Sequence, residues 1–350
     1  MTDSDVQFQT AVELLAERRV HEALGCLAGA EALGADPDAC AAQRWFCWML
    51  LGDFERAWTE CDAIACRNEA IENCLWDGTP FEGKRVIVRT LHGFGDAVQF
   101  MRYLPLLRQR ASHVTVETHP ELVALFRAQP YVDDVITWES TSASARDWDQ
   151  QIEVMEFPRA FRTTLDTIPD AVPYITVPAR RWTPEVNTAR VGIVWAASGF
   201  NPERNIPYEA LLPLFEVPGV SFFSFQHGAP AQELRPPLID MAPRTPDILD
   251  TARAFTQLDL VITVDTLAAH LAGGLGCKVW TLLHSPADWR WMLEGETSPW
   301  YPTMRLFRQK TPGDWTELIR RVVQELTRTT RTVPEASSMT ETEARSITSL

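Results

Sequence analysis

Asp265, Thr266 and His270 are the polar residues whose types and spacing most clearly indicate a binding site. They follow a short apolar run, residues 261–264, and precede several small residues, which is typical of a buried strand leading into a closely packed helix. The free N–H groups and the positive dipole end of a helix amino terminus bind anions. The pattern therefore predicts a phosphate site for a nucleotide diphosphate, and an ordinary helix cap is the alternative.

Within this motif the three side chains are expected to have different roles. A carboxylate repels phosphate, so Asp265 is predicted to cap the helix, while Thr266 and the backbone N–H groups bind the anion. His270 lies one helical turn beyond Thr266 on the same face, where it either bonds to a phosphate or holds the loop in place.

A second candidate site is the loop His-Gly-Phe-Gly-Asp at residues 92–96. Gly93 and Gly95 permit a sharp turn and a close approach of the backbone to a ligand. Asp96 then lies at a helix amino end, where it is either a helix cap or a general base that removes a proton from a hydroxyl group. A dinucleotide-binding loop is disfavoured, because Val98 occupies the third glycine position of that motif and would obstruct helix packing.

Alternating short strands and helices are predicted from Phe81 onward, and these elements must position both motifs. The predicted strands cover residues 85–90, 113–117, 134–137, 191–195, 221–225, 260–264 and 278–283. Helices are expected after Asp96, near Pro120 and over residues 314–328. Strands that alternate with helices are typical of parallel sheets, so the sequence predicts an α/β fold with two similar units facing one cleft.

Residues 1–70 contain no convincing strand and show an internal repeat. Ala23 and Ala57 are 34 residues apart, which is the period of tetratricopeptide helix pairs. In the second copy, Gly52 permits the tight turn between the helices and Ala57 permits their close packing. Two such units are too few for an independent solenoid, so the segment is expected to depend on the next domain for stability and to act as a docking surface or a structural cover.

The domain prediction therefore has five parts. Residues 1–70 form a tetratricopeptide-like segment, 71–178 the first α/β domain, 179–190 a linker, 191–328 the second α/β domain with the final helix, and 329–350 a disordered tail. The two α/β domains are similar in size, and the cleft between them is the expected place for a ligand.

Composition and charge narrow the range of partners. The chain has 350 residues and a formal net charge of -15, so neither an extended nucleic-acid contact nor an anionic membrane surface is expected. No apolar stretch approaches the roughly 20 residues that span a bilayer, and the amino end lacks the features of a signal peptide, which predicts a cytoplasmic protein. The 7 cysteines include no CxxC pair, so no metal site is expected.

Further motifs carry a resemblance to a known family. In chain order these are Gln-Phe-Met-Arg-Tyr-Leu-Pro at residues 99–105, Thr-Leu-Asp-Thr-Ile-Pro at 164–169, Phe-Gln-His-Gly at 225–228, Asp-Trp-Arg-Trp at 288–291 and Ser-Pro-Trp-Tyr-Pro at 298–302. With the loops around Asp96 and Asp265, they make residues 75–315 resemble the bacterial heptosyltransferase-type glycosyltransferases of family 9, in the branch with amino-terminal tetratricopeptide units. The resemblance implies a GT-B fold, in which two Rossmann-like domains face a cleft.

The resemblance also implies a reaction. A sugar would be transferred from a nucleotide-sugar donor to a hydroxyl acceptor on a glycan or protein, with inversion of configuration and without a metal ion or other cofactor. Asp96 matches the family's candidate base, and the cleft loop on the acceptor side contains Gly93, Phe94, Gly95 and Gln99.

On the donor side, the resemblance places Asp265 and Thr266 in the phosphate loop and His270 beside it. Gln226 and Gly228 match positions that line the nucleotide in relatives. Arg204 is the expected cation for the phosphates, because its planar fork suits their geometry. Relatives commonly carry further basic residues near this position, which this chain lacks.

The sequence leaves two other functions open. A protein O-GlcNAc-transferase-like enzyme also joins tetratricopeptide repeats to a GT-B fold. A non-catalytic scaffold of the same architecture would bind a protein partner through the helical segment. The helical segment favours a protein acceptor or partner, whereas the altered loop around Arg204 favours the scaffold.

Overall fold

A helical segment and two parallel sheets make up the computed structural model, which describes residues 1–68, 74–139, 147–179, 186–197, 199 and 201–331. The helices of the amino-terminal segment are α1 (Asp3–Ala16), α2 (Val20–Ala32), α3 (Pro37–Leu51) and α4 (Phe54–Arg67). Two α/β parts follow, each with a parallel sheet and its own helices.

The first sheet has the strand order β3-β2-β1-β4, and its strands pair in parallel. The strands are β1 (Arg85–Arg89), β2 (His113–Glu117), β3 (Asp134–Ile136) and β4 (Gln150–Glu153). The accompanying helices are α5 (Phe94–Phe100), α6 (Leu104–Arg108), α7 (Val123–Arg127) and α8 (Phe157–Ala160). The sequence predicts the first three strands but not β4, because Gln-Gln-Ile-Glu lacks the apolar run of a buried strand.

The second sheet has the strand order β10-β9-β8-β5-β6-β7 and is also parallel. Its strands are β5 (Ala189–Val194), β6 (Val220–Ser224), β7 (Ile239–Asp240), β8 (Leu260–Val264), β9 (Val279–Leu283) and β10 (Met304–Arg308). Its helices are α9 (Tyr208–Phe215), α10 (Ile248–Phe255), α11 (Leu267–Gly274) and α12 (Trp315–Arg331). β8 and β9 are buried along their whole length, as their apolar runs predict, whereas the unpredicted β7 and β10 are edge strands with mixed polarity.

The strand order places both sequence motifs where parallel sheets commonly bind ligands. In the second sheet the chain runs from β5 to β6 and β7 on one side, and then returns to β8 on the other side. Ligands of open parallel sheets bind outside the carboxyl ends of the strands at such a switch point. Asp265 and Thr266 follow β8 at this point, and the loop at residues 92–96 follows β1 at the corresponding point of the first sheet.

The amino-terminal helices pack against both α/β parts. Trp58 Nε1 donates a hydrogen bond to the carbonyl oxygen of Thr163 at 2.7 Å, and the N–H group of Leu293 donates to the carbonyl oxygen of Leu50 at 3.0 Å. Gly52 ends α3 with a φ of 76°, the left-handed conformation that the tight turn into α4 requires. The segment therefore contacts both α/β parts, while its dependence on them for stability and its assignment to tetratricopeptide units stay predictions.

Two predicted boundaries differ from the structure. α12 continues to Arg331, so residues 329–331 are helical rather than part of a disordered tail, and residues 332–350 lie outside the described ranges. In the predicted linker 179–190, residues 180–185 also lie outside those ranges, and β5 already begins at Ala189. None of the helices in the described part of the chain has the length and hydropathy needed to cross a bilayer.

Candidate functional site

A cavity of about 820 Å³ opens at the carboxyl ends of β5, β6 and β8. Its volume is within the usual range for small-molecule sites. Glu121 and Asp247 contribute carboxylates to its wall, and none of its described lining residues is lysine or arginine. Within the described ranges, no group of three or more His, Cys, Asp or Glu side chains is arranged to bind a metal ion.

One end of the cavity is formed by the amino terminus of α11. Thr266, Leu267 and Ala268 line the cavity here. Thr266 occupies the N-cap position, and its side chain makes no capping hydrogen bond. The first N–H groups of a helix have no partner within the helix, so they are available to an anion in the cavity. The prediction that Asp265 caps this helix is wrong, because Thr266 holds that position.

The carboxylate of Asp265 instead faces Arg204, the predicted phosphate cation. Arg204 Nε lies 3.6 Å from Asp265 Oδ2, and its Nη1 donates to the carbonyl oxygen of Asp265 at 3.4 Å. Both Arg204 Nε and Asp265 Oδ2 are buried without a hydrogen-bond partner. The structure thus holds Arg204 beside the start of α11, in an ion pair that lacks a direct hydrogen bond between the side chains.

Burial raises the pKa of the Asp265 carboxyl to about 6. The positive charge of Arg204 opposes this shift, and the negative charge of Asp288 adds to it. Strongly shifted carboxyl groups in a crevice are typical of functional sites, although structural ion pairs also produce them.

Asp265→Asn is expected to remove a pH-dependent contribution to stability. With a pKa of about 6 in the folded protein and about 3.9 in the unfolded chain, Asp265 binds its proton more tightly when folded. The free energy of unfolding of the wild type should therefore fall relative to that of D265N as the pH rises from about 4 to about 7, by up to about 3 kcal/mol. Urea denaturation of both chains at several pH values measures this difference, and parallel curves would contradict it.

Asp288→Asn is a control of opposite sign. Burial alone would raise the pKa of the Asp288 carboxyl, but the charge and hydrogen bonds of Arg290 outweigh it and hold this pKa below its ordinary value. The stability that Asp288 contributes is therefore present above about pH 4 and is lost as the pH falls further. The wild type should therefore lose stability relative to D288N as the pH falls below about 4, whereas it gains stability relative to D265N as the pH falls from about 7 to about 4.

Gln226 connects the loops that follow β5 and β6. Its Oε1 accepts hydrogen bonds from the N–H groups of Trp195 and Ala196 at 3.0 and 2.9 Å, and its Nε2 donates to the carbonyl oxygen of Ala196 at 3.2 Å. Gln226 therefore shapes the cavity wall with a side chain that is already bonded. Gly228 also lines the cavity and has a φ of 76°, which favours glycine. Contact of either residue with a nucleotide stays a prediction.

His270 is buried among aromatic rings. Its Nδ1 lies 2.8 Å from the hydroxyl oxygen of Tyr301, and its ring stacks on Trp291 with the centroids 5.4 Å apart. Burial lowers the pKa of His270 well below its ordinary value, and the charges of Arg290 and Arg102 lower it further. The imidazole is therefore neutral, and of the two predicted roles these contacts favour holding the loop.

Asp96 lies at the third position of α5, just beyond the carboxyl end of β1. Its Oδ2 accepts a hydrogen bond from the N–H group of Gly93 at 3.0 Å, and its Oδ1 accepts one from Arg290 Nη2 at 2.6 Å. The side chain is 25% exposed. An ionised carboxylate offers about four lone-pair sites, so Asp96 caps its helix and still has acceptor capacity toward solvent.

Arg290 lies in a short 3-10 turn, Trp289–Trp291, and also contacts Gln99. Its Nε donates to Gln99 Oε1 at 2.8 Å, and Gln99 is 0% exposed. The prediction that Gln99 belongs to the cleft loop is therefore wrong, because its side chain is buried beneath that loop. The Asp-Trp-Arg-Trp motif is visible in the sequence, but the contact of Arg290 with Asp96, across 194 residues, is not.

α5 and α11 pack directly on each other, so the two sequence motifs lie side by side. A Cβ atom at Gly95 would lie 3.0 Å from His270 Cδ2 and 3.7 Å from the backbone nitrogen of Leu267. Glycine is thus what permits this close approach. Phe94, at the start of α5, lines the cavity, and Asp96 lies two residues further along the same helix.

The relatives of this chain among curated proteins are distant. No protein-family model matches the chain. It is 25% identical over 303 residues to Protein FlbA of Caulobacter vibrioides, an alignment that covers 73% of this chain and 48% of FlbA. The chain thus spans about half the length of this relative.

The chain is also similar to solved structures. ADP-heptose lps heptosyltransferase II of E. coli superposes with a TM-score of 0.50 and 14% identity, over 70% of this chain and 98% of that chain. A glycosyl transferase family 9 protein from Veillonella parvula gives a TM-score of 0.46 and 13% identity, over 75% of this chain and 92% of that chain. The likeness to heptosyltransferase II confirms that the chain has the mixed α/β fold with parallel sheets of a GT-B-type glycosyltransferase.

Proposed function

We propose that this chain is a heptosyltransferase-like glycosyltransferase, which moves a sugar from a nucleotide-sugar donor to a hydroxyl group of a glycan or protein. The observation that supports the proposal is that α5 and α11, which pack on each other, carry the two groups that the reaction needs, a base and a phosphate-binding helix end. α11 presents its amino terminus to the cavity, and α5 carries the carboxylate of Asp96 next to it. A donor and a base would thus meet where the two parallel sheets place their ligand sites.

The cavity is proposed to hold the nucleoside of the donor, with its phosphates at the amino terminus of α11. The N–H groups of Leu267 and Ala268 would bind the phosphate oxygens. Arg204 would complete the site by turning from Asp265 toward the anion, since its Nε has no hydrogen bond to give up and the bond that its Nη1 would lose is long, at 3.4 Å. N–H and guanidinium groups placed in this way would stabilise the charge of the departing nucleotide, which supports a transfer without a metal ion.

Asp96 is proposed as the general base. It would remove the proton of the acceptor hydroxyl while that oxygen attacks the anomeric carbon of the donor sugar. The bond from that carbon to the phosphate oxygen would break, and the nucleotide would leave with the electron pair. Attack opposite the leaving group inverts the configuration at the anomeric carbon. The side chain of Asp96 is exposed enough to meet an acceptor, while Gly93 and Arg290 hold its direction.

The helical segment α1 to α4 is proposed to recruit a protein acceptor or partner. Stacked helix pairs of the tetratricopeptide kind form extended concave surfaces that bind other chains. Because this segment contacts both α/β parts, a partner bound there would be held at a constant position relative to Asp96.

A donor screen tests the proposal directly. The full chain is incubated with UDP-, GDP-, ADP- and CMP-sugars, and both the melting temperature and the release of free nucleotide are measured. A donor at 100 times its Kd should stabilise the fold by about 2.7 kcal/mol and raise the melting temperature. We expect one nucleotide class to do this and to be hydrolysed slowly with water as the acceptor. No shift and no turnover with any donor would overturn the proposal and favour the scaffold.

Arg204→Met is expected to weaken donor binding by about 10- to 100-fold, because a hydrogen bond to a charged group contributes about 1.5–3 kcal/mol. Isothermal titration with the nucleotide diphosphate of the active donor measures the effect. Arg190→Met is the matched control, since Arg190 pairs with Asp259 at 3.0 Å beside the amino end of β5, at the opposite edge of the sheet from the cavity. The affinity of R190M for the nucleotide diphosphate should equal that of the wild type. If the affinity of R204M were also unchanged, Arg204 would not belong to the phosphate site.

A further inference from the structure

Arg290 is bound through all three nitrogens of its guanidinium group. Nε donates to Gln99 Oε1 at 2.8 Å, Nη1 donates to Asp288 Oδ1 at 2.9 Å, and Nη2 donates to Asp96 Oδ1 at 2.6 Å. Arg290 is only 8% exposed. A planar fork held at each nitrogen has one orientation, and it transmits that orientation to its partners.

The contacts of Arg290 join the two α/β parts. Asp96 lies on α5 of the first part, whereas Asp288 and Arg290 lie in the turn after β9 of the second part. The rings of Phe100, from the first part, and Trp289, from the second, lie 5.6 and 4.6 Å from the guanidinium carbon. The guanidinium group is therefore confined by contacts from both parts.

We propose that Arg290 is the positioning residue for Asp96, a role that rests on the proposed function. Arg290 occupies one lone-pair direction of Asp96 Oδ1, and the N–H group of Gly93 occupies one of Oδ2. The remaining lone pairs of Asp96 then point in fixed directions toward the acceptor. A reacting group held in a single direction lowers the barrier, and small displacements are costly.

The charges around Arg290 fit this role. A buried arginine is costly unless it is paired, and Asp96 and Asp288 provide two carboxylates for it. Asp288 also accepts a hydrogen bond from the backbone N–H group of Arg290 at 3.0 Å, so it fixes the turn as well as the side chain. The arrangement is a chain of three groups, in which Asp288 orients Arg290 and Arg290 orients Asp96.

The same arginine connects the base to the donor side of the site. The charge of Arg290 lowers the pKa of His270, which lies on α11, beyond the effect of burial. It also acts on the carboxyl group of Asp265, at the start of the phosphate loop. Asp96 therefore obtains its partner from the part of the chain that would bind the donor, and the two are aligned only while the parts stay packed.

Arg102 is a second buried arginine at the same boundary. It is 2% exposed, and it donates to the carbonyl oxygen of Trp300 at 2.6 Å and to the hydroxyl oxygen of Tyr174 at 3.3 Å. Its hydrogen bonds in the described part of the chain do not include Asp96. Arg102 is thus a matched control for the removal of a buried cation between the two parts.

A double-mutant cycle separates positioning from structure. The rate of nucleotide release is measured in single turnovers for the wild type, R290M, D96N and D96N/R290M, with whichever UDP-, GDP-, ADP- or CMP-sugar the wild type hydrolyses fastest. We expect R290M to slow release by about 10²-fold, because the base is displaced. D96N/R290M should then be no slower than D96N alone, because Arg290 has nothing left to position. In the same cycle with Arg102→Met, the two effects on the activation free energy should be additive. R102M should then slow D96N by the same factor by which it slows the wild type.

The outcomes distinguish the two proposals. If the factors by which R290M and D96N slow nucleotide release multiply in the double mutant, as those of R102M and D96N do, Arg290 is structural. This inference is then overturned, while the proposed function stands. If the wild type releases no nucleotide from any donor, the proposed function fails and this inference fails with it. Should R290M not fold, Arg290→Lys replaces it in the same cycle. Lysine keeps the charge but not the fork, and we expect it to recover only part of the rate, with the same lack of additivity toward D96N.

Discussion

Asp96→Asn is expected to lower the rate of sugar transfer by about 10²- to 10⁴-fold, the usual contribution of a positioned general base. Asparagine has nearly the same shape and can still accept the hydrogen bond from Gly93, but it cannot take the proton of the acceptor. The affinity for the donor should stay within about twofold of the wild type, because Asp96 is proposed to act on the acceptor and not on the nucleotide. Initial rates and donor titrations measured on the same preparation separate the two quantities.

Asp250→Asn is the matched control for this prediction. Asp250 also lies at the third position of its helix, α10, and its Oδ1 accepts a hydrogen bond from Arg253 at 2.9 Å. It therefore shares the helix position and the arginine contact of Asp96 without lying on α5. D250N should transfer sugar at nearly the wild-type rate. A fully active D96N with a genuine acceptor would show that Asp96 is not the base.

Trp300→Ala is expected to lower the free energy of unfolding by about 3–5 kcal/mol, the range for removal of a buried large aromatic side chain. Trp300 is 0% exposed. Its ring lies 6.0 Å from that of Phe54 in the helical segment, 5.9 Å from Phe100 in the first α/β part and 6.2 Å from Trp289 in the second. The loss of this ring would leave a cavity where the helical segment and the two α/β parts meet, so we expect all three to be destabilised together.

Urea denaturation followed by tryptophan fluorescence and by far-ultraviolet circular dichroism measures this effect. The control is Trp138→Ala, because Trp138 is 47% exposed and surface substitutions usually change stability by no more than about 0.5 kcal/mol. If W300A unfolded with two separate transitions and left the α/β parts at wild-type stability, the three parts would not share one core. A single transition at lower urea concentration is the expected result.

Local patterns were sufficient to predict the elements that hold the candidate site. The runs at β1, β2, β5, β6, β8 and β9 are apolar and β-branched or aromatic, and the strands appear there with small differences at their ends. β4, β7 and β10 could not be predicted in this way, because an edge strand or a short strand needs no continuous apolar run. β4 takes its place by pairing with β1, which is distant in sequence, whereas β7 and β10 pair with the strands that precede them, β6 and β9.

The site itself was predicted only in part. The loops that carry Asp96 and Thr266 were located from glycine, polar and apolar spacing, and the fold brings α5 and α11 together. The roles of Asp265 and Gln99 were assigned wrongly. A sequence pattern indicates that a helix begins more clearly than it indicates which residue is the N-cap, and it does not show which face of α5 is buried. Asp265 lies one residue before the N-cap, and Gln99 lies under Arg290.

By itself, the sequence determined the alternation of strands and helices and the two motif loops, and its formal net charge of -15 disfavours an extended nucleic-acid contact. These properties depend on residues close together in the chain, or on composition, so local physical chemistry is enough to infer them. Only the tertiary structure decided the partners of the charged groups: Arg204 with Asp265, across 61 residues, and Arg290 with Asp96, across 194 residues. The physical reason is that an ion pair in a crevice depends on how turns that are far apart in the chain pack in space, and no local sequence pattern shows which turns those are.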